Sequence, residues 1–214
     1  MSGNLVLNTK TFWQKGNVII RLAKPTPLDL DRILNFRKIV PITELDIVSA
    51  GGGIVGGGRD EDDEEKLSRK IMYEMSNRKI VLAARREIDT EIVLAEGIFS
   101  KDKVDSVGIL PEYRGKRKPE YMLSYALLAV LLSLSRTSKN WKIRVSSQYT
   151  KIISVLIEKF QQLAKDLDLE ITIEKSPFSP LIVDVELSAK DEKTFDKKVI
   201  MLLAKRGWRK KRFK

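Results

Sequence analysis

Val107-Gly108-Ile109-Leu110-Pro111-Glu112-Tyr113-Arg114-Gly115-Lys116 is the stretch of this 214-residue chain that decides its fold. The run Val104–Leu110 reads as a strand, and Pro111, which has no N–H to give to a ladder, stops it. Tyr113–Lys118 is then a polar, basic loop. Pro119 sits where a helix can begin, because the N–H it lacks would find no partner at a helix start anyway. Glu120–Arg136 beyond it is almost wholly apolar, which predicts a helix buried on every side, packed on a sheet and against neighbours.

Upstream, Lys79–Arg85 and Glu91–Ser100 are further strands, parted by Glu87-Ile88-Asp89-Thr90, and Lys101-Asp102 parts the second from Val104. Connections this short predict an antiparallel meander. Further back, Val18–Arg21 is a short strand, Lys24-Pro25-Thr26-Pro27 a turn, and Leu28–Ile39 a helix with Leu30, Ile33 and Leu34 on one face. Asp60–Ser76 is a second helix, acidic at its start, with Leu67, Ile71 and Met75 inward. Its acidic run lacks the spacing of a calcium loop and reads as a solvated helix start. Between the helices, Gly51–Gly58 holds six glycines in eight positions. No Lys-Ser/Thr follows Gly58, so this is expected to be a flexible linker (residues 49–59) and not a phosphate loop.

Downstream come a strand at Trp141–Ser147 and an amphipathic helix at Tyr149–Leu167, with Ile152, Leu156, Phe160, Leu163 and Leu167 inward. Strands at Leu169–Lys175 and Leu181–Leu187 follow, then a helix at Asp191–Arg206 burying Phe195, Val199, Leu202 and Leu203. The order β, α, α, β, β, β, α, β, α, β, β, α predicts an α/β (α+β) fold: a mixed, mostly antiparallel central sheet with helices on both faces. The expected organisation is a domain over residues 1–187, an added C-terminal helix over 188–206 and a basic tail over 207–214.

Composition narrows the chemistry. With no Cys and no His, disulfides, thiolate metal sites, a Cys nucleophile, Ser-His-Asp triads and zinc-hydrolase sites are excluded, and no metal is expected. Proton transfer must fall to Asp, Glu, Tyr, Lys, water or an amine terminus. Met1–Thr11 is polar and mixed, and the longest apolar run, Tyr121–Leu134, is interrupted by serines and short for a bilayer, so a soluble, cytoplasmic protein is expected. Missing Cys, few Gln and abundant Lys, Glu and Ile suit a thermophile. The formal net charge is +11, of which Lys205–Lys214 alone contributes seven, so the remainder is only mildly basic. Lys205, Arg206, Trp208, Arg209, Lys210, Lys211 and Arg212 combine cations with an aromatic ring, the combination that holds RNA or DNA strands without sequence choice. A solubilising tail, or an arm ordered on a protein partner, is the alternative reading.

From Val18 to Leu187 the order of elements resembles the GNAT superfamily of N-acetyltransferases, and Val107–Lys116 resembles that family's fourth strand running into its V-x-P-x-Y-R-G-K pyrophosphate loop. The resemblance implies acetyl-CoA as cofactor. Backbone groups at Ile109 and Leu110 would meet the pantetheine arm, and Arg114, Gly115, Lys116, Arg117 and Lys118 would cradle the pyrophosphate at a helix start. The family's later small positions in this loop are Arg117 and Pro119 here, exchanging close backbone approach for a charged side-chain contact. Thr150–Phe160 resembles the family's N-x-x-A-x-x-L-Y helix, with Leu156 matching and Ile157 where the acid Tyr stands; Tyr149 is the nearest phenol. Glu96 and Asp105 lie where family members place a base, and read otherwise as solvent-facing strand carboxylates. Gly51–Gly58 would border the acceptor cleft as a flap. Two functions stand open: acyl transfer from acyl-CoA to an amine-bearing small molecule or protein, and a non-catalytic basic module on the same scaffold that contacts nucleic acid or a protein assembly.

Overall fold

The computed structural model describes residues 5–40, 61–77, 79–99, 104–113, 122–135, 140–146, 150–175 and 182–213. The glycine-rich segment, Arg114–Pro119, Tyr149 and the Ser176–Pro180 link lie outside the described residues. In chain order the elements are β1 (Thr11–Lys15), β2 (Val18–Leu22), α1 (Pro27–Ile39), α2 (Glu61–Asn77), β3 (Lys79–Arg86), β4 (Glu91–Phe99), β5 (Val104–Ile109), a 3-10 turn (Pro111–Tyr113), α3 (Met122–Leu134), β6 (Asn140–Ser146), α4 (Thr150–Leu167), β7 (Leu169–Lys175), β8 (Ile182–Ala189), α5 (Glu192–Lys205) and β9 (Arg209–Arg212).

The strands form two sheets, a six-stranded one in the order β5-β4-β3-β2-β1-β9 and a three-stranded one in the order β6-β8-β7. Every ladder in them is antiparallel, including the meander β3-β4-β5. One central sheet is expected from the sequence. The chain instead divides it after β5, where α3 carries the polypeptide across to β6, and the edges of the two sheets are left facing one another.

Helices cover both faces of the larger sheet. Successive strand residues point to opposite faces, and the neighbours Glu96 and Gly97 on β4 show which helix lies where. Glu96 accepts hydrogen bonds from Arg37 of α1, while Gly97 lies under Leu131 of α3, so close that a Cβ on Gly97 would come within 2.4 Å of Leu131 Cδ1. α1 starts where Thr26 accepts from the Asp29 N–H with Pro27 in its first turn. α3 is apolar on every side, and Ala126, Leu127, Ala129, Val130, Leu131 and Leu132 are fully buried beneath the sheet, α4 and α5. Ser133 ties α3 to α5 by donating to Asp196 at 2.6 Å.

Two strands are additions to the sequence reading. β1 and β2 form a hairpin in which Lys15 pairs with Val18. The loop is therefore Gly16-Asn17, with Gly16 at φ +58°, a conformation a side chain would strain. β9 is built from the basic C-terminal stretch. α5 ends in a Schellman motif, Trp208 N–H to Leu203 O and Gly207 N–H to Ala204 O, both 2.9 Å, with Gly207 at φ +83°. The turn buries Trp208 in the core and sends residues 209–212 back along β1, pairing Gln14 with Arg209 and Thr11 with Arg212.

Candidate active site

The strand expected to meet a ligand, β5, lies at the seam between the two sheets. β5 is the end strand of one sheet and β6 the end strand of the other. Leu110 donates its N–H to Leu94 O at 2.9 Å. In an antiparallel pair the hydrogen-bonding direction alternates along the strand, so Val107 and Ile109 turn their main-chain groups the other way, toward β6. Of the two strand residues expected to meet a pantetheine arm, Ile109 therefore faces the seam, and Leu110 has its N–H committed to β4 and its side chain buried.

β5 is irregular where Asp105 lies. The ladder steps from Ile98↔Ser106 to Phe99↔Val104, so Asp105 is the extra residue of a bulge. Bulges re-aim the strand at sheet edges and beside active sites. The backbone places Asp105 on the seam strand; its side chain lies outside the described residues.

Glu96 is differently situated. It is fully buried, with Arg37 Nη2 at 2.6 Å from Oε1 and Nε at 3.0 Å from Oε2. Arg37 Nη2 also stands 2.6 Å from Glu74 Oε2 of α2, an ion pair by distance although outside hydrogen-bonding alignment. One buried guanidinium is thus shared by two buried carboxylates. Burial pushes the Glu96 carboxyl above its ordinary range, Arg37 opposes this, and Glu74 adds to it. With both oxygens engaged, Glu96 pins α1 and α2 to the sheet. A second cluster in the same face, Arg21 bidentate to Asp29 at 2.6 Å and 2.6 Å and bound to Glu91 at 2.7 Å, pins the start of α1.

Beyond the seam, Lys159 of α4 donates to Ser124 Oγ, in the first turn of α3, at 2.9 Å. Burial pulls the Lys159 ammonium below its ordinary range. The start of α3 carries the positive end of its peptide dipoles, so a half-buried cation there adds to a local field that favours an anion. Ile157, at the position compared with the acid Tyr, packs against the core. Arg85 of β3 donates to Tyr113 Oη at 3.0 Å and so holds the 3-10 turn at the end of β5.

The basic residues of the C terminus are divided by the fold. Arg206 donates to Asp166 at 2.6 Å and lies 4.2 Å from the centre of the Tyr125 ring. Trp208 is 3% exposed, which removes its ring from any surface stack. Lys205 ends α5. Lys210 turns toward the core side, where its ammonium bonds the Leu5 carbonyl. Arg209, Lys211 and Arg212 remain exposed on β9.

Arg37, Glu74 and Lys159 were not singled out from sequence. The first two do carry a signal, because each falls on the apolar stripe of its helix, Arg37 in line with Leu30, Ile33 and Leu34, and Glu74 with Leu67 and Ile71. A charge on such a stripe must be paired once buried. Lys159 has no comparable signal, since its value lies in what α3 places beside it.

The antiparallel sheets, α3 crossing between them and the helices on both faces of the larger sheet resemble the GNAT arrangement expected from the sequence. Similar solved structures include the GNAT domain of S. lividans PAT, at 14% identity and TM-score 0.45 over 80% of this chain and 90% of that one. A spermidine N-acetyltransferase from Vibrio cholerae, solved in complex with CoA and spermine, is similar at 11% identity and TM-score 0.44 over 87% of this chain and 99% of that one. No family model matches the sequence, and no curated protein matches it. Among the described residues no helix is long and apolar enough to cross a membrane, and no group of three or more carboxylates is arranged to hold a metal ion.

Proposed function

We propose that this GNAT-like chain is an acyl-CoA-dependent N-acyltransferase that works at the seam between β5 and β6. The observation that carries the reading is the pairing of strands. β5 and β6 follow one another through α3 yet end different sheets, and the alternation of the β4–β5 ladder turns the main-chain groups of Val107 away from β4, to the β6 side. An extended arm with amide groups fits such an edge as an added strand would.

Bound acyl-CoA would supply a thioester carbonyl activated for attack. The chain's part is to hold it. Val107 and Ile109 orient the arm; Lys159, with Arg114, Gly115, Lys116, Arg117 and Lys118, balances the phosphate charge near the start of α3. The acceptor amine, bound on the α1 and α2 side of the seam, forms the new C–N bond as the C–S bond breaks. Its proton leaves through water to a carboxylate, and we assign that role to Asp105, because both oxygens of Glu96 are already held by Arg37. Tyr149 is the phenol assigned to return a proton to the departing thiolate. Most of the rate enhancement in such a site comes from positioning, since an amine and a thioester need little beyond orientation and proton removal.

Titration calorimetry and thermal shift with acetyl-CoA and with CoA test this reading. Saturation at a hundred times Kd stabilises the fold by about 2.7 kcal/mol, and Lys159→Ala should weaken binding about ten-fold, the loss of one charge-assisted contact. The absence of both binding heat and a Tm shift up to millimolar ligand would sink the proposal.

A further inference from the structure

The outer face of β1 and β9 carries charge that the fold leaves unused. Phe12 pairs with Lys211 and Gln14 with Arg209, so these four side chains share one face of the sheet, the one opposite Trp13. Arg209 and Lys211, alternate residues of a strand, stand about 6.6 Å apart along it. Phe213, half-buried, continues the row, with its ring 4.7 Å from that of Phe12 and the Lys24 ammonium 4.4 Å from its centre. Beside them lies an open depression of about 300 Å³ lined by Gln14, Lys15, Gly16, Gly207, Arg209 and Lys211. Among the described residues the side-chain cations of Lys15, Lys24, Arg209 and Lys211 have no carboxylate oxygen within 4.0 Å. Arg21, Arg37 and Arg206, by contrast, each have one at 2.6 Å.

We propose that this face binds single-stranded nucleic acid. Three cations around a shallow depression, Lys15, Arg209 and Lys211, with Lys24 beside Phe213 at the other end of the row, suit a run of phosphates, and Phe213 offers the free side of its ring to a base. Its aromatic ring can stack only on a base that is unpaired and turned outward, which favours a single strand over a duplex. A second copy of the chain is disfavoured by charge, because two molecules at +11 repel. The assignment differs from a tail reading in a way that can be measured: Arg206 and Trp208 hold the fold together, and Lys15 and Lys24, remote in sequence, belong to the surface. It rests on residues distant from the β5–β6 seam in the sheet order and stands whether or not acyl-CoA binds.

The test uses the full chain and fluorescence anisotropy with labelled oligouridylate and oligothymidylate of about 20 nucleotides, longer than one site of this kind. Both should bind, with a log–log salt slope of about −2 to −3 for three or four phosphates at −0.7 each. Arg209→Glu with Lys211→Glu should weaken binding at least ten-fold and flatten the slope by about 1.4, two contacts' worth. Phe213→Leu keeps the packing on Phe12 and should weaken binding about five-fold through the lost ring. A control with the same change in net charge, Lys165→Glu with Lys197→Glu on exposed positions of α4 and α5, should leave affinity within about two-fold at moderate salt, where separated surface charges are screened. Equal losses in both charge-reversal variants would reduce the effect to net charge and overturn the proposal. So would duplex or anionic vesicles binding as tightly as single strands, self-association abolished by the β9 variant, or no binding by the full chain. Circular dichroism checks that each variant is folded.

Discussion

Arg37→Met is the perturbation that most sharply tests how α1 and α2 are fixed to the sheet. The guanidinium stands 2.6 Å from Glu96 Oε1, 3.0 Å from Glu96 Oε2 and 2.6 Å from Glu74 Oε2, and all three side chains are almost fully buried. Methionine fills much of the volume but leaves two carboxylates facing each other without a cation. Removing one partner of a buried pair costs about 3–5 kcal/mol, a large share of the roughly 5–15 kcal/mol that holds a domain together. The chain can relieve part of this by protonating Glu96, whose carboxyl burial already pushes above its ordinary value of 4.5 and which would rise further without Arg37. A raised folded value means that stability from the protonated form is complete below the unfolded value and is lost as pH rises through the folded one. Urea unfolding of Arg37→Met should therefore give its smallest deficit near about pH 5 and its largest near about pH 8, a slope the parent shows more weakly. Glu96→Gln supplies the sign test. In the parent it removes a charge-assisted bond worth about 1.5–3 kcal/mol, offset in part by the relieved burial of charge. In the Arg37→Met background it removes a stranded charge and should stabilise. A double variant less stable than Arg37→Met alone, or an Arg37→Met deficit below about 1 kcal/mol at neutral pH, would refute the claim that Arg37 is what makes the two buried carboxylates tolerable.

Other perturbations address other parts of the fold. Gly97→Ala should cost about 1–3 kcal/mol by chemical denaturation, because its Cβ would meet the fully buried Leu131, and the cost should shrink in a Leu131→Ala background, where the methyl has room. Trp208→Ala should cost about 3–5 kcal/mol and release β9, read as faster amide exchange at residues 11–15, since Trp208 locks the turn that delivers the strand. Asp29→Asn should remove a stabilisation that grows with pH. Burial raises the Asp29 carboxyl, but bonds from Arg21 and the Lys24 N–H prevail and hold it below its ordinary 3.8, so its contribution is present above that value and lost as pH falls through the folded one. In the parent, acid unfolding should set in at higher pH when Asp29 is replaced, a shift opposite in sign to that expected of Glu96.

Much of the fold was legible because local signals agreed with one another. Short links between Lys79 and Leu110 fixed an antiparallel meander, and the all-apolar Glu120–Arg136 could only be a buried helix, as Met122–Leu134 proves to be. The hairpin at the other end went unread, although the sequence carries a weak signal for it. Thr11–Lys15 and Val18–Leu22 flank Gly16-Asn17, a two-residue turn pair whose glycine takes a positive φ, and the signal is the dipeptide and not the strand before it, which mixes Lys, Gln, Trp and Thr. β9 has no signal of its own: Arg209-Lys210-Lys211-Arg212 has no strand propensity, and only the Schellman turn at Gly207 and the waiting edge of β1 make it one. Splitting of the sheet after β5 was illegible for a similar reason, since strand spacing does not say which neighbours pair.

The candidate site shows the same division between what a residue is and what is placed beside it. Sequence supplied the strand, the proline and the basic loop, and could not say that Leu110 gives its N–H to Leu94 while Ile109 turns the other way, because that choice follows from the register of β4 on β5. Glu96 and Asp105 look alike in a list of strand carboxylates. The register separates them: Glu96 lies in a regular row opposite Leu82 and Gly108, deep beneath α1, and Asp105 lies in a bulge on the strand at the seam. A carboxylate in a closed row must be paired to be tolerated, and Arg37 pairs Glu96; the backbone register puts Asp105 instead in the bulge of the seam strand. The same logic divides the cations. Charge counted from sequence treats the C terminus as one basic tail, yet Arg206 is bound to Asp166 and Tyr125 while the side chains of Arg209 and Lys211, three and five residues later, have no carboxylate within 4.0 Å among the described residues. What distinguishes a structural charge from a functional one in this chain is whether the fold has already supplied its partner.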